Sequence, residues 1–267
     1  MSGLPERGFR GALGFLTVAG GAASPTPRSL PWFGVVGAGI GAAVGTTHWV
    51  SLQLTTPLLA AVVAVGADLV LTGLLHLDGL ADSADGVLPP LDRARRLAVM
   101  KDPAVGAFGV AVVVLVLAAR IAAFAALAPA ANGTGNAGSE ALTAILPVAA
   151  IWAVSRVVMA AVARHVPYAR AATGGGLASA FTGEPASDAR GVSGATDLFL
   201  ALSVVAATAL AVGGTGLRGV VAIVGCVTGA LAVVTVARHR LGGFTGDVLG
   251  AAGMIGETAA LMLLAVR

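Results

Sequence analysis

Seven long apolar runs recur along this 267-residue chain, and few folds can accommodate them. They cover about residues 34–50, 57–75, 106–128, 142–164, 196–213, 218–237 and 248–266. Each comes close to the ~20 residues that an α-helix needs to cross a bilayer. A chain of this length cannot bury seven such runs in one soluble core. Its composition, 57% hydrophobic and 11% charged, stands far below the ~25% charge of an ordinary soluble domain. A membrane β-barrel would show ~10-residue alternating segments and aromatic girdles, but only 4% of the residues are aromatic. The expected fold is therefore all-α: a single polytopic membrane domain of about seven helices. Thirty-eight glycines suit helices that approach closely in lipid.

The distribution of arginine and lysine gives an orientation. Arg7, Arg10 and Arg28 precede the first run. Arg93, Arg95, Arg96 and Lys101 lie in loop 76–105, Arg170 and Arg190 in loop 165–195, and Arg238 and Arg240 in loop 238–247. Loops 51–56, 129–141 and 214–217 carry none. Positive charge thus alternates from loop to loop, which puts the N-terminus in the cytoplasm and the C-terminus outside. Residues 1–33 read as a cytoplasmic or interfacial segment. The stretch RGFRGALGFLTVAGGAA at 7–23 has a signal-like composition but is too short to span, so an interfacial or re-entrant helix is expected. The net charge of +3 is spread over several loops and forms no nucleic-acid patch. The one cysteine, Cys226, allows no internal disulfide and reads as packing.

Acidic residues collect where a greasy chain should avoid them. In HLDGLADSADG (76–86), Asp78, Asp82 and Asp85 recur at i, i+4 and i+7, within ~60° of arc on a helix. Like charges so spaced cost a few tenths of a kcal/mol even when exposed, so a positive partner is expected. Mg²⁺ is a natural one, since it uses a few carboxylates together with substrate phosphates. His76 opens the motif and can bind phosphate, relay a proton or cap the span. Lys101, in MKDPAVGAFGV (100–110), is either a phosphate contact or a positive anchor. In LGGFTGDVLGAAGMIGE (241–257), the turn through Gly243, Thr245 and Gly246 can offer backbone N–H groups to phosphate. Asp247 is a further metal ligand or a helix cap. Arg120 and Arg156 fall inside spans and should face the bundle interior, with Asp68 and Glu257 as candidate partners. Arg156 is close enough to its helix end to serve the site. Together these features point to metal-assisted transfer of a phosphate or diphosphate group.

HLDGLADSADG, MKDPAVGAFGV, VSR (154–156), PYAR (167–170) and GGFTGDVLGA (242–251) occur in this order, and together they resemble the cobalamin 5′-phosphate synthase, or adenosylcobinamide-GDP ribazoletransferase, family. The resemblance covers roughly three quarters of the chain. It implies a multi-pass inner-membrane enzyme with Mg²⁺ as cofactor and its site on the cytoplasmic side. Its substrates would be adenosylcobinamide-GDP and α-ribazole or its 5′-phosphate, with GMP released. On this reading Asp78, Asp82, Asp85 and Asp247 hold the metal, Lys101, Arg156 and Arg170 neutralise phosphate, and an aspartate or His76 takes the hydroxyl proton. Membrane lipid is a partner and nucleic acid is not; a homo-oligomer stays open. Two stretches depart from the family pattern. LTVAGGAASPTP (16–27) lacks the arginine of the usual LTRLPVP, and PYARAATGGGLASAF (167–181) lacks an acidic residue after PYAR. A CDP-alcohol phosphotransferase-like enzyme, a prenyltransferase-like enzyme and an ion transporter are the alternatives. The CDP-alcohol motif order is absent, and a transporter relay would place most carboxylates at mid-span.

Overall fold

The computed structural model describes residues 4–21, 25–127, 137–170, 177–181 and 189–266. Among them ten α-helices account for nearly all regular structure. Helix α1 (Leu4–Leu16) precedes short 3₁₀ turns at Val18–Gly20 and Pro27–Trp32. There follow α2 (Phe33–Leu54), α3 (Pro57–Leu71), α4 (Leu75–Val87), α5 (Arg93–Val99) and α6 (Ala107–Ala126). The chain is completed by α7 (Ala137–His165), α8 (Ala189–Thr215), α9 (Leu217–Leu241) and α10 (Gly246–Ala265). Among the described residues six helices are long and apolar enough to cross a membrane, or seven if the bent pair α3–α4 is counted as one span. The helices overrun several expected spans: α7 starts at 137 rather than 142, and α8 at 189 rather than 196. Much of the expected loop 129–141, and residues 171–176 and 182–188 of loop 165–195, lie outside the described residues.

α7 and α10 form the centre of the bundle, with 83% and 72% of their apolar windows buried against 17% for α8. Glycine explains how α2 fits α7. Gly37, Gly41 and Gly45 recur every fourth residue, and a Cβ at Gly37 or Gly41 would stand 2.6 Å from the carbonyl oxygens of Trp152 and Val148 respectively. Such small-residue spacing lets two backbones meet where lipid supplies no hydrophobic drive between helices. α1 folds back on the start of α2. Phe15 stacks on Phe33 at 5.7 Å between ring centroids and meets Phe181 edge-on at 5.1 Å.

Four buried charges from four helices meet inside the bundle. Arg120 of α6 pairs with Asp68 of α3 at 3.1 Å and with Glu257 of α10 at 2.5 Å. Arg156 of α7 also pairs with Glu257. Trp152 donates its indole N–H to Asp68 at 2.9 Å, and its ring lies 5.1 Å from the Arg120 guanidinium. The tetrad holds two positive and two negative charges, so each has an opposite partner, as charges within a membrane span require. Arg156 thus departs from the expected phosphate-binding role. It is 1% exposed, and Glu257, from the same central helix pair, reaches its guanidinium first.

Candidate active site

The site is built by a sharp break between α3 and α4. Gly73 and Leu74 both adopt left-handed backbone, each with φ of 59°. Glycine does so freely, but leucine does so against a cost of about 1–3 kcal/mol. The two turns swing α4 through 89° from α3. α4 therefore lies across one end of the bundle, over the first turns of α6 and α10 and the last turn of α9. The first part of the expected loop 76–105 is thus a helix, as the spacing of the three aspartates implies; Asp78 is exposed, Asp82 half-buried and Asp85 buried.

Close backbone contact brings this helix to α10. A Cβ at Gly79 would stand 2.8 Å from the carbonyl oxygen of Asp247, and one at Gly250 would stand 3.1 Å from the Cα of His76. Asp78 and Asp82 thereby face the start of α10, where Asp247 sits. The Asp82 carboxyl is pushed up to about 7, first by burial and then by the charges of Asp247 and Asp78; Arg170 opposes the shift and Asp85 adds to it. Three carboxylates gathered around so little positive charge form an electrostatic sink for a cation.

Asp85 differs from the expectation for a metal ligand. Its carboxylate accepts from the backbone N–H of Gly106 at 2.7 Å and of Gly109 at 2.9 Å. The first turn of a helix has N–H groups with no partner inside the helix, and Asp85 serves those of α6. The spacing that puts Asp85 on the face of Asp78 and Asp82 also points it at α6. Arg96 donates to the carbonyls of Gly86 and Val87, and Arg240 to those of Val87 and Leu88. These arginines close the C-terminal end of α4, whose last carbonyls lack helical partners.

A second pair of motifs meets on the other side. Ala169 donates its backbone N–H to Phe244 O at 2.8 Å, and Phe244 donates to Pro167 O at 2.9 Å. This short parallel bridge ties PYAR to GGFTGD. Gly243 fits only without a side chain, since a Cβ would stand 2.1 Å from Pro167 O. The bridge delivers Arg170 to Asp247 at 3.3 Å, while Met100 O accepts from the same guanidinium at 3.3 Å. Thr245 caps α10: its hydroxyl accepts from Val248 N and donates to Asp247 Oδ2, both at 3.2 Å. Gly246 lines the cavity beside it. Lys101 follows Met100 in the chain and is exposed.

These elements enclose a cavity of about 100 Å³. His76, Asp78, Arg170 and Asp247 form its polar wall; Phe15, Leu75, Met159 and Tyr168 form the apolar one. His76 is buried, and neither ring nitrogen has a hydrogen-bond partner among the described residues. Burial raises the Tyr168 hydroxyl above its usual range; the charge of Arg170 opposes that shift and Asp247 adds to it. Phe15 and Tyr168 were not expected at the site. Tyr168 lies within the quoted PYAR, but nothing in the sequence links Phe15 to the aspartates. Among the described residues no three His, Cys, Asp or Glu side chains are grouped closely enough to hold a metal ion by themselves. An open set fits Mg²⁺ better than a cage, because this ion takes one or two carboxylates and completes its shell with substrate phosphate and water. Asp78 and Asp247, both on the cavity wall, are the carboxylates available to such an ion, with Asp82 beside them.

Comparison with known proteins gives the same family as the motifs. The model of the cobalamin-5-phosphate synthase family matches residues 8–265. The adenosylcobinamide-GDP ribazoletransferase of Chlorobaculum tepidum is 34% identical over 254 residues, covering 94% of this chain and 91% of its own. That of Rhizobium johnstonii is 34% identical over 261 residues, covering 97% and 88% respectively. No solved structure matches. With a match over nearly its whole length, the chain belongs to the cobalamin-5-phosphate synthase family.

Proposed function

We propose that this chain joins adenosylcobinamide-GDP to α-ribazole 5′-phosphate or α-ribazole, releasing GMP. The ribazole 3′-hydroxyl oxygen forms a bond to the cobinamide-side phosphorus. The bond from that phosphorus to the GMP oxygen breaks, and the hydroxyl proton leaves to a base. Support comes from family membership and, above all, from one observation: His76 and Asp78 of α4 and the Asp247–Arg170 pair line one cavity.

Phosphoryl transfer of this kind depends on positioning and on stabilising charge. Asp78, Asp82 and Asp247 would hold Mg²⁺, which supplies charge neutralisation at the phosphates. Arg170, fixed by Asp247 and Met100 O, presents its guanidinium to phosphate oxygen, and Lys101 approaches from the exposed rim. His76, unpartnered beside Asp78, orients the attacking hydroxyl or accepts its proton. Phe15, Leu75 and Tyr168 exclude water on the opposite wall. Asp85 acts one step away, by fixing α6 against α4. The arginine and lysine distribution supports a cytoplasmic position for this end of the bundle, where nucleotide substrates are available.

The test is GMP release by purified protein in liposomes, given both substrates and Mg²⁺, with and without EDTA. GMP and a cobalamin phosphate formed only when metal is available are the expected result. Turnover that persists in EDTA, or full activity of Asp82→Asn, would remove the metal role. No turnover by well-folded protein would overturn the reaction.

A further inference from the structure

A second cavity, of about 310 Å³, opens at the end of the bundle opposite the aspartates. Its wall comes from the C-terminal ends of α6, α8 and α10, the first turns of α7 and α9, and His48 near the end of α2. The volume lies at the lower end of the ~300–1,000 Å³ typical of ligand pockets. Its chemistry is uneven. The one cation is Arg218, at the start of α9, which has no acidic partner within ion-pair distance among the described residues. The other polar groups have spare acceptor capacity. Thr143 already donates its hydroxyl to the carbonyls of Ser139 and Glu140, and Thr215 donates to Ala211 O at 2.7 Å. Their remaining lone pairs can only accept. Pro147 has no N–H, so the carbonyl of Thr143 lacks its usual helical donor. His48 is 3% exposed, and its Nε2 has no hydrogen-bond partner among the described residues. The ring lies 5.0 Å from that of Phe124 between centroids, and an unprotonated ring nitrogen of neutral histidine accepts a hydrogen bond.

One guanidinium facing a group of acceptors, with His48 buried, Thr215 half-buried and Thr143 exposed, calls for a ligand with an anionic centre at one end and N–H or O–H donors at the other. The ends of membrane-crossing helices lie at the level of lipid headgroups, outside the ~30 Å hydrocarbon core. We propose that this cavity binds a phosphodiester headgroup with hydrogen-bond donors at its far end, ethanolamine or glycerol. Arg218 holds the phosphate, and His48, Thr143 and Thr215 accept from the donors. Choline carries the same phosphate but no donor, so the site discriminates against it. The site is separate from the aspartate cavity and independent of the transfer reaction.

The test uses purified protein in detergent with short-chain phosphatidylethanolamine, phosphatidylglycerol and phosphatidylcholine. A ligand that binds only the folded state raises the thermal midpoint, and exposure of the buried Cys226 thiol to a thiol-reactive dye reports that midpoint. Ethanolamine and glycerol headgroups should raise it more than choline. Arg218→Gln should weaken their binding about tenfold, the worth of one charge-assisted hydrogen bond. Ala144→Phe, which fills the cavity and leaves Arg218 in place, should abolish the preference. Thr143→Val, a surface change easily tolerated, should reduce it and keeps the test informative if Ala144→Phe fails to fold. Equal shifts with all three lipids would overturn the proposal. So would a preference lost in Arg218→Gln but kept in both other variants, which marks a surface charge effect. The same shift with soluble glycerophosphoethanolamine would support the headgroup chemistry and show that no acyl chain is needed.

Discussion

Glu257 holds two arginines at once, and neutralising it should damage the fold more than its single side chain suggests. In Glu257→Gln, Arg120 keeps Asp68 at 3.1 Å. Arg156 keeps only the Ser155 hydroxyl, at 2.9 Å, and the Met159 sulfur, at 3.8 Å, as partners among the described residues. A full positive charge, 1% exposed, would then lack an anion. Removing one partner of a buried ion pair costs about 3–5 kcal/mol, because the other charge stays buried. At ~2–4 °C per kcal/mol for a chain of this size, the thermal midpoint should fall by roughly 6–20 °C. The dye assay on Cys226 reads it. The double variant Arg156→Met, Glu257→Gln removes both charges and leaves the Arg120–Asp68 pair intact, so it should regain at least half of the loss. If Glu257→Gln melts within about 2 °C of the natural protein, or the double variant loses the sum of the two single effects, the charge-pairing account fails.

Asp82→Asn should abolish Mg²⁺-dependent GMP release while stabilising the metal-free protein. The folded carboxyl titrates near 7, above its unfolded value of 3.8, so its repulsion grows as pH rises from the unfolded value through 7. The gain in midpoint should therefore be clear at pH 8 and small at pH 5; a gain independent of pH would count against this electrostatic origin. Asp85→Ala should behave differently, losing about 0.5–2 kcal/mol of stability through the α6 cap and keeping measurable metal-dependent turnover. Turnover as low as that of Asp82→Asn would return Asp85 to the metal set. Gly79→Val should lower turnover by more than tenfold, since a Cβ there meets Asp247 O at 2.8 Å and moves the reacting geometry by a few tenths of an ångström or more; unchanged kinetics would show that α4 and α10 need not touch.

The crossings were legible because lipid makes the strongest demand on sequence: twenty apolar residues in a row. Asp68, Arg120, Arg156 and Glu257 were legible for the converse reason, as a charge inside such a run must find its opposite. The break at Gly73–Leu74 was not. A left-handed leucine has no sequence signature, and only the neighbouring glycine hints at it. The role of Asp85 was hidden because its partners, the N–H groups of Gly106 and Gly109, belong to a helix start more than twenty residues away. Arg96 and Arg240 were read as membrane-orienting charges. That reading used their sign alone, whereas their guanidinium groups also close the end of α4. The bridge between PYAR and GGFTGD joins segments some seventy residues apart through backbone atoms, which any side chain shares. Phe15 reaches the cavity from α1, whose amphipathic pattern suits a membrane surface as well as it suits this packing.

The charge tetrad also has a bearing on the site. In lipid, apolar side chains do not distinguish one helix register from the next, because the tails are as apolar as leucine. Paired charges do, since a slip of one residue leaves them unpaired. The tetrad joins α3, α6, α7 and α10. Asp68 lies in the last turn of α3, and its carbonyl accepts from both the backbone N–H and the hydroxyl of Thr72 at the mouth of the break. From there the chain turns into His76 and Asp78. Glu257 fixes α10, which carries Asp247 ten residues earlier, and Arg120 fixes α6, whose first turn holds Asp85. The buried charges therefore set the register of each helix that brings a carboxylate to the cavity. It follows that Arg120→Leu should lower metal-dependent turnover even where detergent and temperature keep the variant folded, with the loss in kcat rather than KM. A folded Arg120→Leu protein with natural kcat would separate the tetrad from the site and leave it a role in stability alone.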